Sequence, residues 1–182
     1  MENKGQLFKF VMFYGLLLGL FWVVKYVFFI LGIAYPALGI VYWLLTSLTL
    51  VFAYIFGKAY KIMIGGRIHF FHAWQFGVLL YFFASLIVSL LHYVFYRYLA
   101  PPNYLANLME AAAMMVKEIN PQAEETLKQM LVPTPIRQTF QDIFTNVFYG
   151  AVFSIPVAAL LCRKIIVGIV YRENQENKEE KE

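Results

Sequence analysis

The chain has 182 residues, 61% of them hydrophobic and 19% aromatic, with a formal net charge of +4. A soluble domain is about 45–50% apolar, so this composition excludes an ordinary soluble core, and a chain of this length holds one hydrophobic domain with no separate catalytic domain beside it. The basic residues adjoin apolar runs, which points to anionic lipid headgroups and away from nucleic acid. The single cysteine, Cys162, cannot form an internal disulfide.

A membrane-crossing helix needs about 20 mostly apolar residues, and four segments qualify. Lys4 and Lys9 precede the first apolar run as in a signal peptide, but the run over 10–33 is broken only by Lys25 and exceeds the roughly 7–15 residues of a signal core. A retained helix over about 8–33 is therefore predicted. The Tyr35-Pro36 break turns the chain back into a second helix over 36–56. Residues 57–74 read as a basic loop with a turn at Gly65-Gly66, and the third helix covers 75–98. A long connection, 100–139, follows. Within it Leu105, Leu108, Met109, Ala112, Met115, Val116 and Ile119 recur at helical spacing and predict an amphipathic helix over 104–119. Asn120-Pro121 opens a second short helix over 121–131, which Pro133 and Pro135 end. The fourth span covers 140–161 and can extend to 171, and residues 172–182 form a charged tail expected to be disordered and cytoplasmic. The fold class is thus an all-α integral membrane protein, one transmembrane domain over 1–171, with two short amphipathic helices between the third and fourth spans.

Ten of the fifteen Lys and Arg residues fall on the side that holds both termini, four on the other, and Lys25 within a span. Both termini are expected to be cytoplasmic.

The motif Gly65-Gly66-Arg67-Ile68-His69-Phe70 leads to Ala73-Trp74-Gln75-Phe76-Gly77 ahead of the third span. Pro102-Asn103-Tyr104 follows that span, and Met130-Leu131-Val132-Pro133 precedes the fourth. Together these resemble a bacterial membrane family catalogued as domain of unknown function 4199, over about residues 4–164. The resemblance implies a four-helix fold in the bacterial inner membrane and no assigned activity. The sequence departs from the family's usual pattern in its aromatic stretch His69-Phe70-Phe71-His72 and in the apolar run over 165–170.

Candidate sites fall into three groups. Lys25, Tyr42, His92 and Asn146 share a polar layer in the outer part of the bundle, with Arg97 just above. A charge at that depth usually faces the bundle or a wet cavity, which makes a vestibule for a lipid phosphate or carboxylate; the plainer alternative has Lys25 snorkelling to the headgroups. Lys58, Lys61, Arg67, Arg163 and Lys164 form an inner basic group for anionic lipid or a partner. Gly15, Gly19, Ser85, Ser89, Gly150, Ser154 and Ala158 form small-residue stripes for helix packing. His69 with His72, and Met109, Met114, Met115 and Met130, match zinc and copper ligand types but lack further ligands nearby in sequence, so no metal or cofactor is expected. The only acid–base pair on offer is His92 with Asp142, and no spacing brings them together; Asp142 reads as part of a solvated face. We therefore expect a non-enzymatic accessory or assembly subunit, with a membrane protein partner or a second copy on the small-residue stripes and the outer cap. A lipid-handling or transport protein using the outer layer is the alternative, and a lipid-modifying enzyme the weaker one.

Overall fold

The computed structural model describes residues 4–119 and 134–163. The predicted helix over 121–131, the extension towards 171, the tail and Lys164 lie outside them.

The first helix, α1, spans Lys4–Ala34, and α2 spans Pro36–Met63. Only Tyr35 separates them. The proline behind it pushes Tyr35 into extended backbone, φ −126° and ψ 92°, and Pro36 starts α2 at a position where no amide hydrogen is needed. Gly32 and Gly39 allow the turn to close: a Cβ on Gly32 would lie 3.1 Å from the Gly39 nitrogen. At the far end of α2 the chain turns through Gly65 and Gly66, at φ 96° and 81°. Side chains resist this left-handed conformation, and the Gly66 amide closes the turn by donating to the Lys61 carbonyl at 2.8 Å.

The third helix, α3, spans Phe70–Val94 and continues as a π-helical turn, Phe95–Leu99, before Pro101 blocks it. A short helix α4, Tyr104–Ile119, follows a left-handed Asn103 at φ 62°. It stands where the periodicity placed it. The last helix, α5, spans Pro135–Cys162, again with Pro in its first turn, and continues through Pro156.

Among the described residues four helices are long and apolar enough to cross a membrane. Their outward faces carry exposed apolar side chains, among them Trp43, Phe144 and Phe148, each more than 60% exposed. Acyl chains, not water, suit such a surface, and the chain is a multi-pass membrane protein. The helices run longer than the apolar runs suggested, so the loop between α2 and α3 shrinks to a few residues and α5 begins earlier than residue 140.

Packing centres on α3, which lies between α1 and α5, while α2 leans on α1. The small-residue stripes make these seams. A Cβ on Gly15 would meet Phe83 Cβ at 2.5 Å, and one on Gly19 would meet Ile87 Cβ at 2.7 Å, so α1 lies directly on α3. Gly150 receives the Tyr81 ring, and Gly77 receives Ser154. Ser85, Ser89 and Ala158 are buried; the two serine hydroxyls donate to their own helix, to the Phe82 and Leu86 carbonyls at 2.7 Å each. Indole donors pin the same seams, Trp74 to the Ala151 carbonyl at 2.9 Å and Trp22 to Thr49 Oγ1 at 3.3 Å. The stripes are therefore closed within one chain and are not faces kept for a partner, as the accessory-subunit reading had them.

Candidate functional site: an aromatic cavity with one lysine

At the bundle end away from the termini, α1, α2, α3, α4 and α5 enclose a cavity of about 440 Å³. Lys25 enters it from α1, Tyr42 from α2, His92 and Tyr96 from the end of α3, and Asp142 and Asn146 from α5, with Tyr104 and Met109 above. Lys25 is nine residues, about 14 Å, before the end of α1, and Asp142 is seven residues, about 10 Å, inside α5. The two charges thus lie at similar depth.

Asp142 gathers three groups. The Tyr96 hydroxyl donates to Oδ2 at 2.7 Å, Gln138 Nε2 donates to Oδ1 at 3.0 Å, and His92 Nδ1 lies 3.0 Å from Oδ2. The contact is one of distance: His92 Nδ1 makes no hydrogen bond there. The π-helical turn contributes here. It inserts a wider turn, burying Phe95 against Tyr26, Phe29 and Tyr104 while Tyr96 reaches Asp142. Tyr26 covers one face of the His92 ring, with centroids 4.0 Å apart.

Lys25 has different company. Its ammonium lies over the Trp22 ring at 5.0 Å and the Tyr42 ring at 5.3 Å, cation–π distances. Among the described residues the one carboxylate on the cavity wall, Asp142, is paired with His92 and not with Lys25. The phenol of Tyr104, outside the spans, is held above its usual range, first by burial and then by Asp142 and Tyr42.

Of the expected outer layer, Lys25, Tyr42, His92 and Asn146 meet in this cavity. Arg97 does not: it is exposed and lies 5.7 Å from the ring of its neighbour Tyr98. Asp142, read as part of a solvated face, is instead a partly buried member of the site. Tyr96, Gln138 and Trp22 were not singled out; aromatic side chains near a span end look like interfacial anchors until the helices are assembled.

The inner basic group divides. Lys58, Arg67 and Arg163 are exposed. Lys61 is 3% exposed, and its ammonium donates to the Leu161 carbonyl at 2.6 Å and the Arg163 carbonyl at 2.9 Å. It caps the C-terminus of α5, where a cation also meets the negative end of the helix dipole, so it is not a lipid or partner contact. His69 precedes α3 while His72 lies on its first turn, with Nε2 2.7 Å from the Tyr60 hydroxyl and the two rings stacked. Among the described residues no group of three metal-ligand side chains comes together.

No curated protein and no solved structure matches the chain. The family model described as a protein of unknown function, DUF4199, matches residues 13–163, and on that span, most of its length, the chain belongs to this family.

Proposed function

We propose that the protein binds the anionic headgroup of a membrane lipid, or of a lipid-like amphiphile, in the cavity of the bundle. The observation that carries this reading is Lys25, a charge held inside a span between two aromatic rings, with its ammonium turned to a cavity and no carboxylate partner among the described residues. Such a charge is costly in a membrane unless something compensates it, and an entering phosphate or carboxylate does so. The cavity volume suits a headgroup, since ligand pockets usually measure about 300–1,000 Å³. Gln141, Thr145 and Asn146 supply amides and a hydroxyl on the α5 wall. At the terminal end α2 meets α5 where Leu161 sits on Gly57, and at the other end Tyr42 of α2 and Tyr149 of α5 both line the cavity.

The excess of Lys and Arg at the terminal end supports a cytoplasmic position for that end, with the cavity in the opposite leaflet of a bacterial inner membrane. An accessory subunit needs an uncommitted face, and the stripes that suggested one are buried. Catalysis on the bound lipid is the weaker reading, because Tyr26 covers a face of His92 and two donors, Tyr96 and Gln138, already occupy Asp142.

The test is to extract the protein with its surrounding lipid and quantify that lipid by mass spectrometry. The wild type should be enriched in one anionic class over the host membrane, and Lys25→Met should return to the bulk composition with unchanged helix content. Identical lipid complements in the two would sink the reading.

A further inference from the structure

We infer that the cavity takes up a proton together with its anion: His92, paired with Asp142 on the cavity wall, is the proton site, and the ligand class it selects is a singly charged anion such as a phosphodiester headgroup. This rests on the headgroup reading above and adds a second, coupled ligand to it.

The charges on the cavity lining carry the inference. Among the described residues the titratable groups that touch His92 or share its cavity are Lys25 and Tyr26 from α1, Tyr42 from α2, Tyr96 from the end of α3, Tyr104 from α4 and Asp142 from α5. The four phenols are neutral at physiological pH. Asp142 accepts from Tyr96 and Gln138 and faces His92 Nδ1, an arrangement suited to a charged carboxylate. With a neutral imidazole, Lys25 and Asp142 cancel and the described cavity lining has no net charge. An anion that sheds its water to enter then gains attraction from Lys25 and loses it to Asp142. A proton on the second imidazole nitrogen changes this balance. The imidazolium neutralises the carboxylate beside it and leaves Lys25 as a net positive charge, which one negative charge cancels. Imidazole is the side chain that ordinarily exchanges a proton near neutral pH. Because binding linkage is reciprocal, an anion that prefers the protonated cavity must draw a proton in as it binds.

The experiment uses the full chain in phosphatidylcholine nanodiscs and titrates dihexanoyl phosphatidylglycerol by calorimetry from about pH 5 to 8, across the range in which imidazole titrates. This lipid is a phosphodiester, so its own charge is constant over that range. Paired buffers of different ionisation heat count the protons taken up. Dihexanoyl phosphatidylcholine is the neutral-headgroup control, and glycerophosphoglycerol carries the same anion without acyl chains. On the alkaline side the phosphatidylglycerol affinity should fall by up to tenfold per pH unit, with uptake approaching one proton per lipid. His92→Gln should flatten the profile near the wild type's alkaline affinity. Proton uptake with glycerophosphoglycerol, at weaker affinity, supports the same linkage and assigns the remaining affinity to the acyl chains. Preferential binding of phosphatidylglycerol that is equal at every pH, without proton uptake, overturns the linkage and leaves the headgroup reading standing. No preference for phosphatidylglycerol over phosphatidylcholine at any pH overturns both. The wild-type profile decides between these even if His92→Gln does not fold.

Discussion

The two ends of the bundle each bury a lysine, and they treat it differently. At the terminal end Tyr60 stacks on Phe76 with centroids 4.9 Å apart, Phe10 tilts against both, and Lys61 places its ammonium on two backbone carbonyls of α5. The Tyr60 hydroxyl meets His72 Nε2 at 2.7 Å, so this lysine and this phenol both have protein partners. At the other end Lys25 has ring faces and open space, while the one carboxylate on the cavity wall among the described residues is turned to a histidine. The difference teaches how to read a buried cation in a membrane. One that satisfies a helix end is part of the fold, and one that faces a cavity without a counter-charge is available to a ligand.

Both ends hang on the seam between α3 and α5, so breaking that seam should have the largest effect. Gly150→Leu drives a side chain into the Tyr81 ring, and overpacking of this kind costs about 3 kcal/mol. Thermal unfolding in nanodiscs should show the lowest midpoint of any variant considered, with lipid binding lost along with the fold. Lys61→Met tests the closed end alone. It leaves the Leu161 and Arg163 carbonyls without their charged donor, at a cost of about 2 kcal/mol. Its lipid complement should match the wild type. A Lys61→Met protein that folds normally but loses its anionic lipid would reverse the comparison, making the closed end the site.

Asp142→Asn sharpens the contrast from the open end. The amide accepts through one oxygen only and brings its own donor against Tyr96 or Gln138. The site is partly exposed, so about 1 kcal/mol is expected, less than for Lys61→Met in the same unfolding assay. An equal or larger loss would show that the Asp142 cluster supports the fold as much as Lys61 does.

The four spans were legible because continuous apolar runs of this length have few other uses. Their ends were not, and the reason is Lys61. A lysine near the end of an apolar run reads as loop, and its helical place becomes evident only when its ammonium is seen to reach another helix, 100 residues away. The same error at α5 hid the site. Starting that helix at 140 puts Asp142 at the membrane surface, whereas starting it at Pro135 carries Asp142 about two turns inward, to His92. Lys25, Tyr42, His92 and Asn146 were found by depth alone, because each is polar at a similar height. Arg97 shares that height to within a turn but points elsewhere, which depth cannot tell. The Gly15/Gly19 stripe was legible as a contact but not as an internal one, since close approach needs the same small residues whether the facing helix belongs to this chain or another.

The smallest effect concerns the roof of the cavity. Tyr104 packs its ring on Phe95 and Tyr96, with centroids 5.3 and 6.3 Å away, and its phenol is held above the ordinary value by burial, by Asp142 and by Tyr42. A raised value means that the folded state favours the neutral phenol. The contribution of Tyr104 to stability is therefore complete below about pH 10, the ordinary tyrosine value, and is lost as pH rises through the raised one. Tyr104→Phe keeps the ring and removes the ionisation. At pH 7 its unfolding midpoint should equal that of the wild type. Above about pH 10 it should hold its midpoint better than the wild type, because one of the phenols near Asp142 can no longer acquire a charge. An alkaline loss as steep in Tyr104→Phe as in the wild type would place the sensitivity on other phenols, and would mean that α4 does not close over the carboxylate tightly enough to feel it.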